Sequence, residues 1–434
     1  MRFLPIFIFL GIFLGSGIYF HATGTAFAFY QISPTIAIVP AILFAITFYK
    51  KPFHEKINCF LDGMRHKDII MMVIIFLLAG AFGSVTKTIG SIDATVQFCL
   101  HLLPQWALLG GLFLISSFVS LAIGSSMGVV AVVTPLAVGI AGQAGLPLPL
   151  SVGAVIGGAM FGDNLSFISD TTIAAVQTQQ ADLKKKFLFN APISFISGAI
   201  VFCILLWVCE PSAKPIPQTL PYLTIMPYIL IIGLALSGVH VFVVLTIGIM
   251  AAFLVGAFTL DYSIVTCAQD MYQGFLSMHE IIILSLFIGG LSELMRAEGC
   301  IAALLKKLEK MLLHQSQKMA SLAIGMVAAL VDVLVANNTI AIILSGDMVK
   351  QIARAHHISP HRAATWVDIF SCVFQGLIPY GAQILLASSI AGISPLSLVP
   401  TVHYCFVLAI VAIGFMLFGA PERDAAWDET DKKN

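Results

Sequence analysis

Long apolar runs alternate with short polar stretches along almost the whole chain. Most runs are long enough to cross a bilayer core of about 30 Å as an α-helix. They are continuous rather than alternating, so they indicate helices and not the strands of a closed barrel. The runs lie at residues 3–20, 34–49, 69–86, 105–123, 127–144, 148–178, 187–209, 222–236, 239–258, 280–295, 319–336, 339–356, 361–391 and 396–419. The pattern predicts an all-α polytopic membrane protein.

The order of the runs repeats once. Each half has three plain runs, two runs that flank a polar tip, one long run with a polar break, and one plain run. This order predicts about ten transmembrane helices plus two re-entrant helical hairpins. Because each half has five spans and one hairpin, the halves are inverted repeats whose broken helices meet at the midplane. The predicted units are 1–210, with hairpin 105–144 and broken span 148–178; a proline-rich connector, 211–220; 221–420, with hairpin 319–356 and broken span 361–391; and a cytoplasmic tail, 421–434.

The basic residues set the predicted orientation. With the N-terminus in the cytoplasm, all but Lys87 and Lys214 of the 22 Lys and Arg residues fall in cytoplasmic loops. Both termini are therefore expected inside, in a multi-pass protein of the plasma (inner) membrane. The pattern places residues 184–186 in a loop, so no Lys or Arg is expected inside a span.

Composition supports the membrane assignment and excludes several functions. The chain is 59% hydrophobic and 10% charged, its mean hydropathy is +0.98, and its net charge is zero. A soluble domain typically has about 25% charged residues. No basic patch with interleaved aromatic residues suggests nucleic acid as a partner. The eight cysteines are scattered without a CxxC pair, and no P-loop or metal-binding histidine cluster occurs, so we do not expect an enzyme.

The strongest polar signal interrupts the run 148–178 near its middle. The segment 162–172 reads GDNLSFISDTT and carries two acids among hydroxyl and amide side chains. An acid inside a bilayer is costly, and a structural helix break would not need two. Carboxylate, hydroxyl and carbonyl oxygens suit a hard cation such as Na⁺. The candidate cation- and proton-binding residues, with Na⁺ held by the two acids, are Asp163, Asn164, Ser166, Ser169, Asp170, Thr171 and Thr172.

Polar residues also mark the two hairpin tips and the second broken span. The tips occupy matching places in the two repeats, which favours a binding or gating role over helix capping alone. Pro379 disrupts the second broken span and frees backbone carbonyls. A lone acid, Asp332, lies in the apolar arm before the second tip and is a further candidate. The other candidates are Ser125, Ser126, Asn337, Asn338 and Thr339 at the tips, and Asp368, Gln375, Tyr380 and Gln383 in the second broken span.

The segment 162–172 resembles the signature of the NhaC family of Na⁺/H⁺ antiporters. The later block from Asn337 through Asp368 to residues 377–381, LIPYG, resembles it as well, and the likeness extends over essentially the whole chain. Two departures stand out: Phe167 where many members have proline, and Asn337 with Asn338 where some have an acidic tip. The family also includes exchangers of small organic acids, so the resemblance alone does not choose the substrate.

These features predict a secondary active transporter that exports Na⁺ in exchange for H⁺ by alternating access. The alternative is a Na⁺- or H⁺-coupled exchanger of small organic acids or amino acids, which would need a cationic group or a helix N-terminus to hold a carboxylate. A non-transporting receptor or scaffold would not need paired central acids. We expect no cofactor. The expected partners are the lipid bilayer, the transported Na⁺ and H⁺, and a second copy of the chain in a homodimer.

Overall fold

The computed structural model describes residues 2–23, 31–210, 222–303 and 316–419. Every regular element in these ranges is a helix. The predicted all-α class is therefore confirmed. The predicted connector, 211–220, and the predicted tail, 421–434, lie outside the described residues.

The helices follow one another with short connections. The first half contains α1 (Leu4–Ala22), α2 (Pro34–Ala37), α3 (Val39–Phe48), α4 (Phe53–Met64), α5 (Lys67–Thr88), α6 (Ser91–Leu102), a 3₁₀ turn (Gln105–Ala107), α7 (Leu108–Ile123), α8 (Ser126–Ala144), α9 (Leu148–Leu165), α10 (Asp170–Gln179) and α11 (Leu183–Val208). The second half contains α12 (Tyr222–Leu236), α13 (Val241–Thr259), α14 (Ile264–Ser277), α15 (His279–Ala297), α16 (Gln317–Val335), α17 (Asn338–Ala355), α18 (Pro360–Gln375), α19 (Ala382–Ala391), α20 (Pro395–Leu398), a 3₁₀ turn (Val399–Thr401) and α21 (His403–Phe418).

Many of these helices are membrane spans by length and composition. Seven described helices are long and apolar enough to cross a bilayer, and the number rises to nine if each of two bent helix pairs is one span. Both arms of the first predicted hairpin are among the seven. Four shorter apolar helices coincide with further predicted spans: Leu4–Phe20, Pro34–Phe48, Tyr222–Leu236 and His403–Phe418. The chain is a multi-pass membrane protein, while re-entry of the hairpins stays a prediction.

Backbone turns recur at the same spacing in the two halves. Residues 124, 145 and 180 of the first half have positive φ, and so do residues 336, 357 and 392 of the second. Ser125 and Asn337 then lead into α8 and α17 with almost identical backbone angles, φ −149° with ψ 109° and 111°. The two hairpins therefore turn along the same local path. The boundaries of the repeats and their opposite orientation stay predictions.

Two amphipathic helices, α4 and α14, join the halves, and the hydropathy pattern did not identify either of them. Helix α4 packs on α15, and α14 packs on α5. A Cβ on Gly63 would lie 2.2 Å from the backbone oxygen of Gly289, and one on Gly80 would lie 2.3 Å from that of Gly274. Pairs of small residues let helix backbones approach closely in membranes. Each contact therefore fixes an amphipathic helix of one half against a span of the other.

The first arm of the first hairpin, α7, lies directly against α9. A Cβ on Gly158 would lie 2.2 Å from the carbonyl oxygen of Phe113, and one on Gly162 would lie 2.3 Å from that of Ser117. The Ser120 hydroxyl also donates to the Ala159 carbonyl at 2.6 Å. This close packing holds the hairpin tip beside the helix break that follows α9.

The glycine contact between α5 and α14 can be tested within one helix. Gly80→Ala should destabilise the protein by about 1–3 kcal/mol, because the new methyl group overlaps the α14 backbone. Gly83→Ala is the matched control: nothing lies within 4 Å of its Cβ position, so alanine should be neutral or slightly stabilising in the helix. Unfolding of the detergent-solubilised variants measures both. Equal stability of the two variants would contradict the close contact.

Candidate ion-binding site

The first broken span separates into α9 and α10 at residues 166–169. Ser166 leaves α9 in an extended conformation, and its hydroxyl donates to the Leu121 carbonyl at 3.0 Å. Ser169 directly precedes α10, but its hydroxyl does not cap that helix. It turns back to Asp163 instead. The break therefore directs polar atoms toward the last turn of α9.

Asp163 is the acid at the centre of this arrangement. It is only 5% exposed, and each of its carboxylate oxygens accepts one hydroxyl hydrogen bond. Oδ1 accepts from Ser169 at 2.7 Å, and Oδ2 accepts from Ser126 at 2.9 Å. Ser126 is the first residue of α8, so the tip of the first hairpin reaches the carboxylate. Hydrogen bonds to a charged group of this kind favour the ionised form, which burial alone would disfavour.

The second broken span reaches the same point through two amides. Gln383, at the start of α19, donates from Nε2 to the Ser126 hydroxyl oxygen at 3.0 Å. Gln375, the last residue of α18, donates from Nε2 to Gln383 Oε1 at 2.9 Å. Both glutamines are buried. The two broken spans and the first hairpin tip are therefore joined by one continuous hydrogen-bonded chain.

A cavity of about 120 Å³ lies between both tips and both breaks, which is room for an ion with several waters. Its described lining contains no Lys, Arg or His, so a cation meets no repulsive charge there. Asp170 is exposed and lines the cavity without joining the buried network of Asp163. The polar lining residues are Asp68, Ser125, Ser126, Asp163, Ser169, Asp170, Thr171, Asn337, Asn338, Thr339, Gln375 and Gln383.

All five predicted tip residues line the cavity, and two of them also cap helices. Ser125 Oγ accepts from the Gly128 amide at 3.4 Å, and Asn337 Oδ1 accepts from the Ile340 amide at 3.0 Å. Both side chains therefore act as helix N-caps. Asn338 Oδ1 accepts from the Thr339 amide at 3.0 Å. The second tip borders the cavity but makes no described hydrogen bond to Asp163, unlike Ser126 of the first tip.

Three of the predicted ligands have other partners. Asn164 donates to Ser194 at 3.0 Å and accepts from Asn190, so it ties α9 to α11. Ser166 donates to the Leu121 carbonyl, as above. Thr172 donates to Asp368 at 3.4 Å and accepts from a lysine. These side chains stabilise the elements around the break, while Thr171 lies at the cavity, within 2.9 Å of Ser169 Oγ.

That lysine, Lys186, corrects the sequence-based topology. Its side chain is 2% exposed and forms an ion pair with the fully buried Asp368. Lys186 Nζ also donates to Thr172 at 2.9 Å, so it links α10, α11 and α18. The expectation that no Lys or Arg lies inside a span was wrong, because Lys186 belongs to the first turn of α11 and points inward. In the sequence, the signal for a buried basic partner was Asp368, an acid within an apolar run of the second repeat.

Asp332 and Tyr380 lie apart from the cavity lining. Asp332 is fully buried in the last turn of α16, and neither carboxylate oxygen has a hydrogen-bond partner among the described residues. Tyr380 donates to the Val333 carbonyl at 2.7 Å, so it anchors the second break to the same hairpin arm. Asp68, by contrast, lines the cavity from the first turn of α5 and was missed, since it adjoins residues assigned to a loop.

Comparisons with known proteins agree with the sequence signature. The sequence model of the Na⁺/H⁺ antiporter family matches residues 2–210 and 214–420. The Na⁺/H⁺ antiporter NhaC of Bacillus subtilis is 23% identical over 390 residues, covering 81% of this chain and 84% of that protein. NhaC of Alkalihalophilus pseudofirmus is 23% identical over 431 residues, covering 90% and 91%. The malate-2H⁺/Na⁺-lactate antiporter of Bacillus subtilis is 22% identical over 380 residues, covering 79% and 80%. The resemblance drawn from segment 162–172 is confirmed.

The buried ion pair gives a stability test. Lys186→Met should cost about 3–5 kcal/mol, because it leaves the Asp368 carboxylate buried without its cation. The double variant Lys186→Met with Asp368→Leu should recover most of that loss, since both charges are then gone. Lys185→Met, at the exposed neighbouring position, is the control. Denaturant unfolding in detergent measures all three variants. A Lys186→Met variant as stable as wild type would show that the pair does not form.

Proposed function

Because the chain belongs to the Na⁺/H⁺ antiporter family, we propose that it exports Na⁺ in exchange for H⁺ by alternating access, with Asp163 as the shared binding group. One observation supports this most directly. A buried carboxylate accepts from Ser126 of a hairpin tip and from Ser169 of a helix break, beside a cavity that both halves line. On this proposal the protein is a transporter rather than an enzyme and uses no cofactor.

The exchange follows from the cost of a buried charge. An ionised Asp163 needs neutralisation, and either a bound Na⁺ or a proton on the carboxylate supplies it. The two cannot occupy the same oxygens together, so one displaces the other without any covalent step. Ser169, Thr171 and the lining amides offer further neutral oxygens of the kind that hard cations prefer. Asp170, at the exposed rim, attracts the cation toward the cavity.

Alternating access places this carboxylate in turn on each side of the membrane. The cavity adjoins the first turn of α5, where Asp68 is 25% exposed and where the predicted topology puts the cytoplasm. The geometry thus fits a conformation that is accessible from inside. Movement of the hairpins and broken spans against α4, α5, α14 and α15 would close this face and open the other. The inner membrane, cytoplasmic termini and a homodimer complete the proposal.

An exchanger of small organic acids is the second candidate. The malate-2H⁺/Na⁺-lactate antiporter among the relatives favours it. A carboxylate substrate needs a cationic partner. Among the described residues, the buried lysine near the site is Lys186, and it is engaged by Asp368. No described cationic side chain lines the cavity. The cavity chemistry therefore favours a bare cation over an organic anion.

Substitution of the two acids separates their roles. Asp163→Asn should reduce Na⁺-dependent H⁺ flux in proteoliposomes to background. The neutral amide does not take up a proton, and it has no negative charge to neutralise a bound cation. Asp170→Asn should keep the maximal rate and raise the Na⁺ KM a few-fold, since an exposed acid acts through a screened field. Asp347→Asn, an exposed acid of α17, is the control and should behave as wild type.

The same assay distinguishes the candidate functions. Wild-type exchange rates in Asp163→Asn would refute the assigned site. A wild-type protein that exchanges malate or lactate across vesicles, but moves no H⁺ when Na⁺ alone is supplied, would support the organic-acid alternative instead.

A further inference from the structure

The hydrogen-bonded chain from Gln375 through Gln383 and Ser126 to Asp163 has a defined direction. Ser126 has a single hydroxyl hydrogen and gives it to the Asp163 carboxylate at 2.9 Å. It must then accept from Gln383, whose Nε2 lies 3.0 Å away. That orientation turns Gln383 Oε1 toward Gln375, which donates to it at 2.9 Å. Every donor in the chain points toward the ionised acid.

This direction leaves one hydrogen-bond acceptor without a donor, at the Gln375 end of the chain. Gln375 uses its amide nitrogen in the chain, and its Oε1 has no hydrogen-bond partner among the described residues. Gln375 is 2% exposed and lines the cavity. A buried carbonyl oxygen without a donor costs free energy unless something else binds it. In this cavity, whose described lining has no basic side chain, the group that suits a carbonyl oxygen is a cation.

We infer that Gln375 Oε1 is a ligand of the transported cation, and that Gln383 and Ser126 hold the Gln375 amide in the orientation that this requires. This inference rests on the proposed antiport function and names a residue that sets cation affinity. Gln375 ends the helix before the second break, as Asp163 lies in the last turn before the first. The two halves thus contribute unlike groups to one site: an acid from the first and an amide from the second.

Gln383 fixes the orientation of the Gln375 amide. Its Oε1 accepts from Gln375 Nε2, so the Gln375 carbonyl oxygen is the atom left for a cation. On this inference Gln383 touches no ion and acts as a positioning residue.

The test uses the full-length protein in proteoliposomes, with the Na⁺ KM and the maximal rate of Na⁺-dependent H⁺ flux measured for each variant. Gln375→Met should raise the Na⁺ KM about tenfold, since one cation ligand is lost, while the maximal rate is largely kept. Gln383→Met should also raise the Na⁺ KM while keeping the maximal rate, because the Gln375 amide loses the partner that orients it. Gln273→Met, an exposed glutamine of α14, is the matched control and should behave as wild type.

The double variant decides whether Gln383 acts through Gln375. If it does, the double variant should raise the Na⁺ KM no more than Gln375→Met alone, since Gln383 then has no ligand to orient. If the increases in Na⁺ KM of the two single variants multiply in the double variant, the inference is wrong. It is also wrong if Gln375→Met has a wild-type Na⁺ KM. If Gln375→Met does not fold, Gln375→Leu takes its place under the same criteria. A wild-type protein without Na⁺-dependent H⁺ flux would instead refute the proposed function itself.

Discussion

A carboxylate buried in a membrane protein must be neutralised, and three buried acids in the described part of this chain differ in what is available to do so. Asp368 is neutralised by Lys186. Asp332 lies among described residues that offer its carboxylate no hydrogen bond. Asp163 accepts two hydroxyl hydrogen bonds but has no described basic partner. Of the three, Asp163 alone combines support for its charge with a cavity from which an ion can arrive.

The surrounding fold brings two distant segments of the chain, the first hairpin tip and the second broken span, to the Asp163 carboxylate. Glycines at 158 and 162 let α7 lie against α9, so the first hairpin tip reaches Asp163. The second half arrives through Gln383, which binds the same tip residue, Ser126. Equivalent glycine contacts hold α4 and α14 against spans of the opposite half. Similar backbone turns in the two halves thus place unlike side chains, an acid and two amides, around a common point.

Sequence patterns predicted the architecture better than they predicted side-chain partners. Long apolar runs, polar breaks and turn residues are local features, so helices and helix breaks could be read from them. Amphipathic α4 and α14 were missed because their mean hydropathy is too low for a span. Lys186 was assigned to a loop because two exposed lysines precede it, and only its contact with Asp368 shows that it points inward. The partners of Asn164 and Ser166, and the link from Gln383 to Ser126, depend on packing between segments far apart in sequence, which no local pattern encodes.

In the proposed mechanism, Na⁺ and H⁺ compete for one carboxylate, that of Asp163. Proton release from the purified, weakly buffered protein on addition of Na⁺ tests it most directly. The account predicts release from the wild type, with choline as the inert control cation, and none from Asp163→Asn. Proton release that persists in Asp163→Asn would contradict this competition. So would Na⁺ binding by the wild type without proton release at any pH from acid to alkaline.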